Sequence, residues 1–203
     1  MAKIRERNRE LIIRAASKVF AEQGFAAAKT VDIGELAGVA KANIYYYFKT
    51  KQNLYSSVLE SVIEPLLAAS DPFYEHDDPR IALTEYIRAK VKISQQQPYA
   101  SKVFASEIMH GAPHLPEDVA EQMLQQTRQS SARIQDWIDR GLMSPVDPQH
   151  LLFTIWASTQ TYADFDWQIT RVTGKDQLEE EDYNAAADLI CQLVLKGCEV
   201  KSP

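Results

Sequence analysis

The stretch from Thr30 to Lys51, TVDIGELAGVAKANIYYYFKTK, has the pattern of two short helices separated by a turn. Ile33 and Ala37 lie four residues apart and so share one face of a helix, which Gly38 can end in a left-handed conformation. The second helix has inward residues at helical spacing, namely Ile44, Tyr47 and Phe48. Because both helices have an apolar face toward the turn, the pattern predicts a helix-turn-helix.

The face left outward on the second helix carries Lys41, Asn43, and Tyr45 or Tyr46. These long donors and aromatic hydroxyls suit the base edges and phosphate oxygens of a DNA major groove. We also expect the Thr30 hydroxyl to cap the first helix. The alternative is that the run from Tyr45 to Phe48 is core, and for its last two residues this is the better interpretation.

These residues resemble the DNA-binding domain of the TetR family of bacterial transcriptional repressors. The resemblance rests on Thr30, Ile33, Ala37-Gly38-Val39, Ile44-Tyr45, Tyr47-Phe48, Lys51 and Leu54. It implies a regulator that binds a double-stranded DNA operator. It also implies phosphate contacts from Thr30, Tyr46, Tyr47 and Lys51, and base-facing roles for Lys41, Asn43 and Tyr45.

Two positions depart from the family pattern. Ala40 stands where the family usually has Ser or Thr, so the side-chain cap of the second helix is missing, at a cost of about 1 kcal/mol. Gly34 replaces the usual Ala, and we expect it only to loosen the first helix.

The distribution of charge supports a DNA-binding amino-terminal segment. Residues 1–51 hold ten Lys or Arg and five Asp or Glu, a net charge of +5, whereas the whole chain carries −6, which leaves −11 for the remainder. The leading basic residues are Lys3, Arg5, Arg7 and Arg9. A basic segment on an acidic body is expected if only that segment meets phosphates, although ordinary surface variation is the alternative.

The remaining sequence predicts an all-α fold. Apolar residues repeat at helical spacing, and we expect helices over residues 3–23, 51–69, 79–96, 98–111, 116–141, 148–172 and 179–198. Gly24 should end the first and Pro65 should kink or restart the second. We predict a helix-turn-helix domain over 1–51 and a helical ligand-binding and dimerisation domain over 52–203, with 51–70 as a connecting helix. We expect the acidic segment 71–79 to be the boundary between the DNA-reading head and the body.

The last two predicted helices carry the longest apolar stripes, and the resemblance favours their use in a C2 homodimer over a buried monomer core. One stripe comprises Leu152, Ile155, Trp156, Thr159, Tyr162, Ala163, Ile169 and Val172. The other comprises Tyr183, Ala186, Ala187, Ile190, Leu193, Val194 and Gly197.

A second resemblance covers the body, above all DPQHL at 147–151, IWASTQ at 155–160 and YADF at 162–165. These segments are similar to the ligand domain of TetR-type regulators of pyrimidine utilisation, which implies a pyrimidine or another small, flat, polar effector. The residues permit such a pocket, with candidate ligand contacts from Phe104, Glu107, Trp156, Gln160, Tyr162 and Phe165. For Trp156 alone a core position is the better interpretation.

Enzymatic and membrane functions find no support in the sequence. No phosphate-binding glycine loop, nucleophile elbow or Cys cluster occurs, and Gly111 and Pro113 interrupt the spacing of His110 and His114 that could hold a metal. We expect no cofactor and no metal. No apolar run approaches the roughly 18 residues that span a bilayer, and no apolar leader opens the chain, so a cytoplasmic location is expected. Cys191 and Cys198, about two helical turns apart, are expected to be small core residues.

Two functions of different classes remain. The first is a ligand-responsive, homodimeric repressor. The second is a small-ligand binding or helix-mediated interaction module that does not bind specific DNA.

Overall fold

A computed structural model describes residues 2–201, and all regular secondary structure in that range is α-helical, which confirms the predicted fold class. The helices are α1 (Ala2–Ala27), α2 (Thr30–Ala37), α3 (Lys41–Phe48), α4 (Lys51–Ala68), α5 (Pro72–Glu75), α6 (Pro79–Gln96), α7 (Pro98–Met109), α8 (Glu117–Asp139), α9 (Pro148–Asp164), α10 (Asp166–Thr173) and α11 (Glu180–Gly197). Within the described range no helix is long and apolar enough to cross a membrane.

The chain folds into two compact units. The head unit contains the residues up to Glu64 together with Tyr99–Leu115, and the body unit contains Pro65–Pro98 and the residues from Pro116 onward. Helix α7, which comes after α6 in sequence, therefore belongs with the head. The functional division predicted at residues 51 and 52 follows sequence order and stays a prediction.

Helix α1 has a break at Gly24, where the backbone adopts φ 75° and ψ 165°. A residue with a side chain adopts this conformation only with strain, so glycine fits the position. Gly24 therefore ends the first helical segment of α1, as predicted, and a short second segment follows to Ala27. The apolar stripe ahead of the break is buried as expected at Ile12, Ala16 and Phe20, but Leu11 is 40% exposed. The side chain of Lys3 lies outside the described residues.

Helix α4 runs without interruption from Lys51 to Ala68 and includes Pro65. Of the two effects predicted for Pro65, a kink or a restart, the restart is therefore wrong. The segment after it, predicted to lack regular structure, contains the single turn of α5. The Asp78 carboxylate then accepts a hydrogen bond from the Arg80 amide at 2.8 Å, which caps α6 and explains its start at Pro79.

Most predicted helix boundaries in the body are confirmed within a few residues, with one exception. The helix predicted over 148–172 is two helices, because Phe165 adopts φ −114° and ψ 28° between α9 and α10. Gly174 is left-handed at φ 70° and ends α10, as expected. Asp147 caps α9 by accepting bonds from the amides of Gln149 and His150 at 2.9 Å.

Helix α6 is the centre of the body unit and packs against α5, α9 and α11. The packing buries much of the face that the sequence assigned to a partner chain. Its buried members are Leu152, Ile155, Thr159, Ala163, Ala186, Ala187, Ile190 and Val194. The predicted dimer face was therefore wrong for these residues, because α9 and α11 use their most regular stripes to cover α6.

The segment that follows α11 is hydrogen-bonded to the loop between α8 and α9. The Ser144 amide donates to the Cys198 carbonyl at 2.8 Å, and the Lys201 amide donates to the Leu142 carbonyl at 3.0 Å. Arg80 Nη2 donates to the Val200 carbonyl at 2.7 Å. Cys191 and Cys198 are free and buried, which agrees with the expectation that they are small core residues.

Candidate nucleic-acid interface and effector site

The turn between α2 and α3 is closed by hydrogen bonds around Gly38, which is left-handed at φ 67°. The Val39 amide donates to the Gly34 carbonyl at 2.9 Å, and the Gly38 amide donates to the Glu35 carbonyl at 3.2 Å. This pair of bonds is a Schellman motif, which satisfies carbonyls at the end of a helix. The turn therefore fixes the direction in which α3 leaves α2.

Gly34 is required by a close approach of the backbone at this turn. A Cβ atom added to Gly34 would lie 2.9 Å from the Val39 carbonyl oxygen and 3.5 Å from Ile44 Cδ1. The expectation that Gly34 only loosens α2 was therefore wrong. Its missing side chain lets α3 pack close to α2.

The two faces of α3 separate as predicted. Ile44 and Phe48 are 1% and 4% exposed and anchor the helix in the head unit. Tyr45 and Tyr46 are 41% and 65% exposed. Two further members of the predicted DNA-reading face, Lys41 and Asn43, are exposed, and Tyr47 is half-buried.

Thr30 does not cap α2. The residue before it, Lys29, occupies the cap position, and no side chain makes a capping bond there. The predicted cap was wrong because the helix begins one residue earlier than expected, so Thr30 is its first helical residue. Thr30 is instead 8% exposed, and its hydroxyl lies 3.2 Å from the Tyr45 hydroxyl, so it fixes the position of Tyr45. The missing side-chain cap at Ala40 is confirmed.

Basic side chains lie beside the aromatic rings of α3. Lys41 Nζ is 5.8 Å from the centroid of the Tyr45 ring, and the Arg5 guanidinium carbon is 5.8 Å from that of Tyr46. These distances are in the range of cation–π contacts. The amino-terminal turn of α1 therefore adds positive charge to the exposed face of α3.

Lys51 is used within the head unit. Its ammonium donates to the carbonyl oxygens of Phe25, Ala26 and Ala28 at 2.8, 3.2 and 3.1 Å, at the end of α1. An ammonium has three donors, so all of them have acceptors here. The cation also stabilises the carboxyl end of the α1 dipole.

Glu107, a predicted ligand contact, is a buried structural group of the head unit and is 4% exposed. Its carboxylate accepts from the Tyr55 hydroxyl at 2.8 Å and from the His114 amide at 2.5 Å. Burial, and then the bond to Glu107, raise the pKa of Tyr55 above its usual range. Phe104, which was also a predicted ligand contact, is half-buried on α7 in the same unit.

The His114 ring completes a cluster that joins α7 to the start of α4. His114 lies 4.6 Å from Phe25 and 5.3 Å from Tyr55, measured between ring centroids. Its Nδ1 lies 3.2 Å from the Glu107 carboxylate. His110 is exposed and faces its own helix, with Nδ1 2.7 Å from the Ser106 carbonyl. These contacts give His114 a structural role.

The other predicted ligand contacts lie in the body unit. Trp156 is half-buried, and its Nε1 donates to the Tyr86 hydroxyl at 2.6 Å. Gln160, one turn further along α9, donates to Asp164 at 3.0 Å. Tyr162 is half-buried with its ring 6.3 Å from that of Tyr183, and Phe165 is 55% exposed at the break after α9.

Sequence reasoning missed two polar residues next to Trp156. Tyr86 and Lys90 were not among the predicted ligand contacts, yet both contact Trp156. Their spacing of four residues on one helix was the signal that could have identified them as a pair. Burial raises the pKa of Tyr86 to about 12 and lowers that of Lys90 to about 8.

Among the described residues, one group of side chains has metal-ligand atoms close together. Glu75, His76 and Glu85 each place one such atom within 4.8 Å of the others. Both carboxylates are exposed, and His76 Nε2 already pairs with Glu85 at 2.9 Å. The contacts identify a hydrogen-bonded pair on the surface.

Two family models match consecutive parts of the chain. Residues 12–58 match the model described as bacterial regulatory proteins, tetR family. Residues 59–201 match the model described as YcdC-like protein, C-terminal region. Together these matches cover the predicted DNA-reading segment and nearly all of the body.

Individual proteins are similar over almost the whole chain. The HTH-type transcriptional regulator RutR of Escherichia coli K12 is 38% identical over 189 residues, which are 93% of this chain and 89% of RutR. The ketosteroid transcriptional regulator KstR2 of Mycobacterium tuberculosis has a similar structure, with a TM-score of 0.78, 17% identity and coverage of 96% and 95% of the two chains. The structure of AibR in complex with isovaleryl coenzyme A and operator DNA is also similar. Its TM-score is 0.67 at 13% identity, and the match covers 92% of this chain and 97% of AibR.

Proposed function

The chain belongs to the TetR family of bacterial regulatory proteins, and from that premise we propose that it is a homodimeric repressor whose α3 reads an operator and whose body responds to a small, flat effector. As a member of this family it is a DNA-binding transcriptional regulator and not an enzyme. The alternative of an interaction module without specific DNA binding therefore loses its basis. A cytoplasmic location, where the chromosome is accessible, remains a prediction.

The observation that carries the proposal is the exposed face of α3. Lys41, Asn43, Tyr45 and Tyr46 stand outward on a helix that Ile44 and Phe48 anchor from behind. A rigid helix with outward donors is the element that helix-turn-helix proteins place in the major groove. We assign base contacts to Lys41, Asn43 and Tyr45.

Phosphate contacts are proposed at the two edges of this face. Tyr46 is exposed, with its ring beside Arg5, and the half-buried Tyr47 lies one residue further. Thr30 acts through Tyr45, whose hydroxyl it contacts. For Lys51 the phosphate role competes with its three bonds to α1, so we propose that Lys51 supports the head and that its DNA contact is secondary.

We propose that the dimer forms through the faces of α9 and α11 that turn away from α6. Phe153 on α9 is 46% exposed, and Leu189 and Leu193 on α11 are 53% and 62% exposed. The two helices pack against each other, so these apolar side chains border one surface. Exposed Ala157 and Gly197 allow a second copy to approach closely. A two-fold dimer would present two heads to two operator half-sites.

The effector is proposed to be a pyrimidine or a ring of similar shape and polarity. The support is the resemblance to regulators of pyrimidine utilisation in the segments 147–151, 155–160 and 162–165, together with the 38% identity to RutR. Trp156 and Gln160 are the predicted contacts that lie one helical turn apart in the body unit. A ligand changes DNA affinity only through its different affinities for the DNA-bound and free forms.

The proposal is tested by enrichment of genomic fragments on the purified full-length protein, followed by a gel shift of the best fragment. We expect binding at about 10⁻⁸ M or tighter at physiological salt, well above binding to random DNA. Asn43→Ala should reduce the preference for the enriched fragment. Equal binding of all fragments by the unaltered protein would contradict the proposal.

A further inference from the structure

Tyr86 and Lys90 stand one turn apart on the same face of α6, and both contact Trp156 of α9. Trp156 Nε1 donates to the Tyr86 hydroxyl at 2.6 Å, and Lys90 Nζ lies 5.9 Å from the centroid of the Trp156 ring. Three side chains from two packed helices therefore meet at one place in the body unit.

The polar groups at this place are donors without acceptors. The Tyr86 oxygen accepts the Trp156 bond, and no described residue accepts from the Tyr86 O–H. The Lys90 ammonium likewise has no acceptor among the described residues, and the Trp156 ring lies beside it. Tyr86 is 3% exposed and Lys90 is half-buried. Because buried polar groups are nearly always hydrogen-bonded, the O–H of Tyr86 calls for an acceptor from outside the chain, and the half-buried Lys90 ammonium is available to the same acceptor.

The protonation of both groups fits the same requirement. Burial raises the pKa of Tyr86 to about 12 and lowers that of Lys90 to about 8, so each keeps its proton at neutral pH. Burial without a counter-charge disfavours the ammonium, and a bound carbonyl or carboxylate oxygen would offset that cost.

The surroundings of Tyr86 are aromatic. The Phe73 ring lies 4.9 Å from the ring of Tyr86 and 5.8 Å from that of Trp137, between centroids. Trp137 is fully buried, and its Nε1 is a further donor without a partner among the described residues. Aromatic walls with few polar groups are typical of sites for planar molecules. Every unpaired group noted here donates.

We infer that Tyr86, Lys90 and Trp156 bind a planar ring through its carbonyl or carboxylate oxygens, and that this contact is the effector site. The inference rests on the proposed function and deepens it, since it replaces the predicted contacts Phe104 and Glu107, which lie in the head unit, with a donor pair on α6. A ring with amino groups in place of these oxygens would place its N–H donors against the donors of Tyr86 and Lys90, so we expect the site to bind it weakly.

Isothermal titration calorimetry of the full chain tests the ligand class. The probes are uracil and benzoate, which offer acceptor oxygens, and 2,4-diaminopyrimidine, which has the uracil ring with amino groups in place of both oxygens. We expect uracil or benzoate to bind and the diamino ring to bind at least tenfold more weakly. Absence of binding by both acceptor rings at millimolar concentration, or equal binding of the diamino ring, would overturn the inference.

Variants test the residues. Lys90→Met nearly keeps the length of the side chain and should reduce the affinity for the acceptor ring about tenfold or more. Tyr86→Phe should reduce the same affinity severalfold. Lys92→Met, an exposed lysine on the same helix, is the matched control and should bind like the unaltered chain. Unchanged affinity in Lys90→Met overturns the inference. If that variant does not fold, unchanged affinity in Tyr86→Phe does the same.

A DNA gel shift with and without the probe separates this inference from the proposed function. If the ring binds through Lys90 but leaves DNA affinity unchanged, the proposed effector response is wrong, while the inferred binding site is supported. If the ring changes DNA affinity equally in Lys90→Met and the unaltered chain, the site is wrong and the response stands.

Discussion

The head and body units hold their functional groups in opposite ways. In the head, the groups proposed to act on DNA are exposed on one short helix, and contacts within about 20 residues of sequence fix them, such as Thr30 with Tyr45. In the body, Tyr86, Lys90 and Trp156 are largely withdrawn from solvent and come from helices 70 residues apart. A surface that reads a large partner can be built locally, whereas a site that encloses a small one needs distant segments.

Loss of the proposed dimer should have the largest effect. Leu193→Glu places a charge on the outward face of α11 and should convert the dimer to monomer, because an unpaired buried charge costs several kcal/mol. Sedimentation equilibrium measures the mass, with Leu124→Glu as a control, since Leu124 is also half exposed, at 52%, but lies on α8. A Leu193→Glu protein that remains dimeric would place the interface elsewhere.

The head should be destabilised strongly by removal of its buried carboxylate. Glu107→Ala leaves the Tyr55 hydroxyl and the His114 amide without their acceptor, at a cost of about 2–4 kcal/mol in the free energy of unfolding. Urea unfolding measures the change, and exposed Glu64→Ala should stay within about 0.5 kcal/mol. If Glu107→Ala matched the control but abolished effector binding, the sequence-based ligand role of Glu107 would be restored.

A substitution of Lys51 distinguishes a structural role of this cation from a role in DNA binding. Lys51→Met should lower the unfolding free energy by about 2 kcal/mol, because three carbonyl oxygens lose a charged donor. The exposed Lys49→Met is its control. The dependence of DNA affinity on salt should be unchanged in Lys51→Met once folding is complete. A slope reduced by about one unit would instead support the phosphate contact that the family resemblance implies.

If α3 contacts bases, a substitution on its exposed face should reduce the preference for the operator over random DNA more than it reduces DNA binding in general. Asn43→Ala should weaken operator binding by about 1–3 kcal/mol and leave random DNA nearly unaffected. Fluorescence anisotropy on paired operator and scrambled duplexes measures both. Equal losses on the two duplexes would refute a base contact from Asn43.

The smallest expected effect concerns the support of Tyr45. Thr30→Val removes the hydroxyl 3.2 Å from that of Tyr45 and should reduce operator affinity by about 0.5–1.5 kcal/mol without a large change in stability. The same anisotropy assay measures it. An unchanged affinity would show that Tyr45 is held by its other neighbours or does not contact DNA.

The sequence predicted most of the head because its signals are local. Gly38 marks the turn, and the spacing of Ile44 and Phe48 fixes which side of α3 is buried. The errors there, at Thr30 and Gly34, come from approaches across the turn, such as the Val39 carbonyl beside Gly34, which one-dimensional spacing does not reveal. Lys51 likewise found its acceptors about 25 residues earlier in the chain.

The body was predicted well as helices and less well as a site. Capping by Asp78 and Asp147 places α6 and α9 correctly, since these bonds span two or three residues. The apolar stripes of α9 and α11 could serve either a partner chain or α6, and periodicity alone does not decide between them. Glu107 and Lys90 show the same limit for polar residues, because the role of each depends on which side chain from another helix lies beside it.

Hydroxyl-radical footprinting of the full-length protein on its enriched genomic fragment tests the central claim most directly. Two α3 faces presented by a symmetric dimer should protect two half-sites related by two-fold symmetry, with centres about one helical turn of DNA or a multiple of it apart. Asn43→Ala should need about 5- to 150-fold more protein for the same protection, which corresponds to a loss of about 1–3 kcal/mol. A single unsymmetrical protected segment, or equal protection by Asn43→Ala and the unaltered protein at every concentration, would contradict the account.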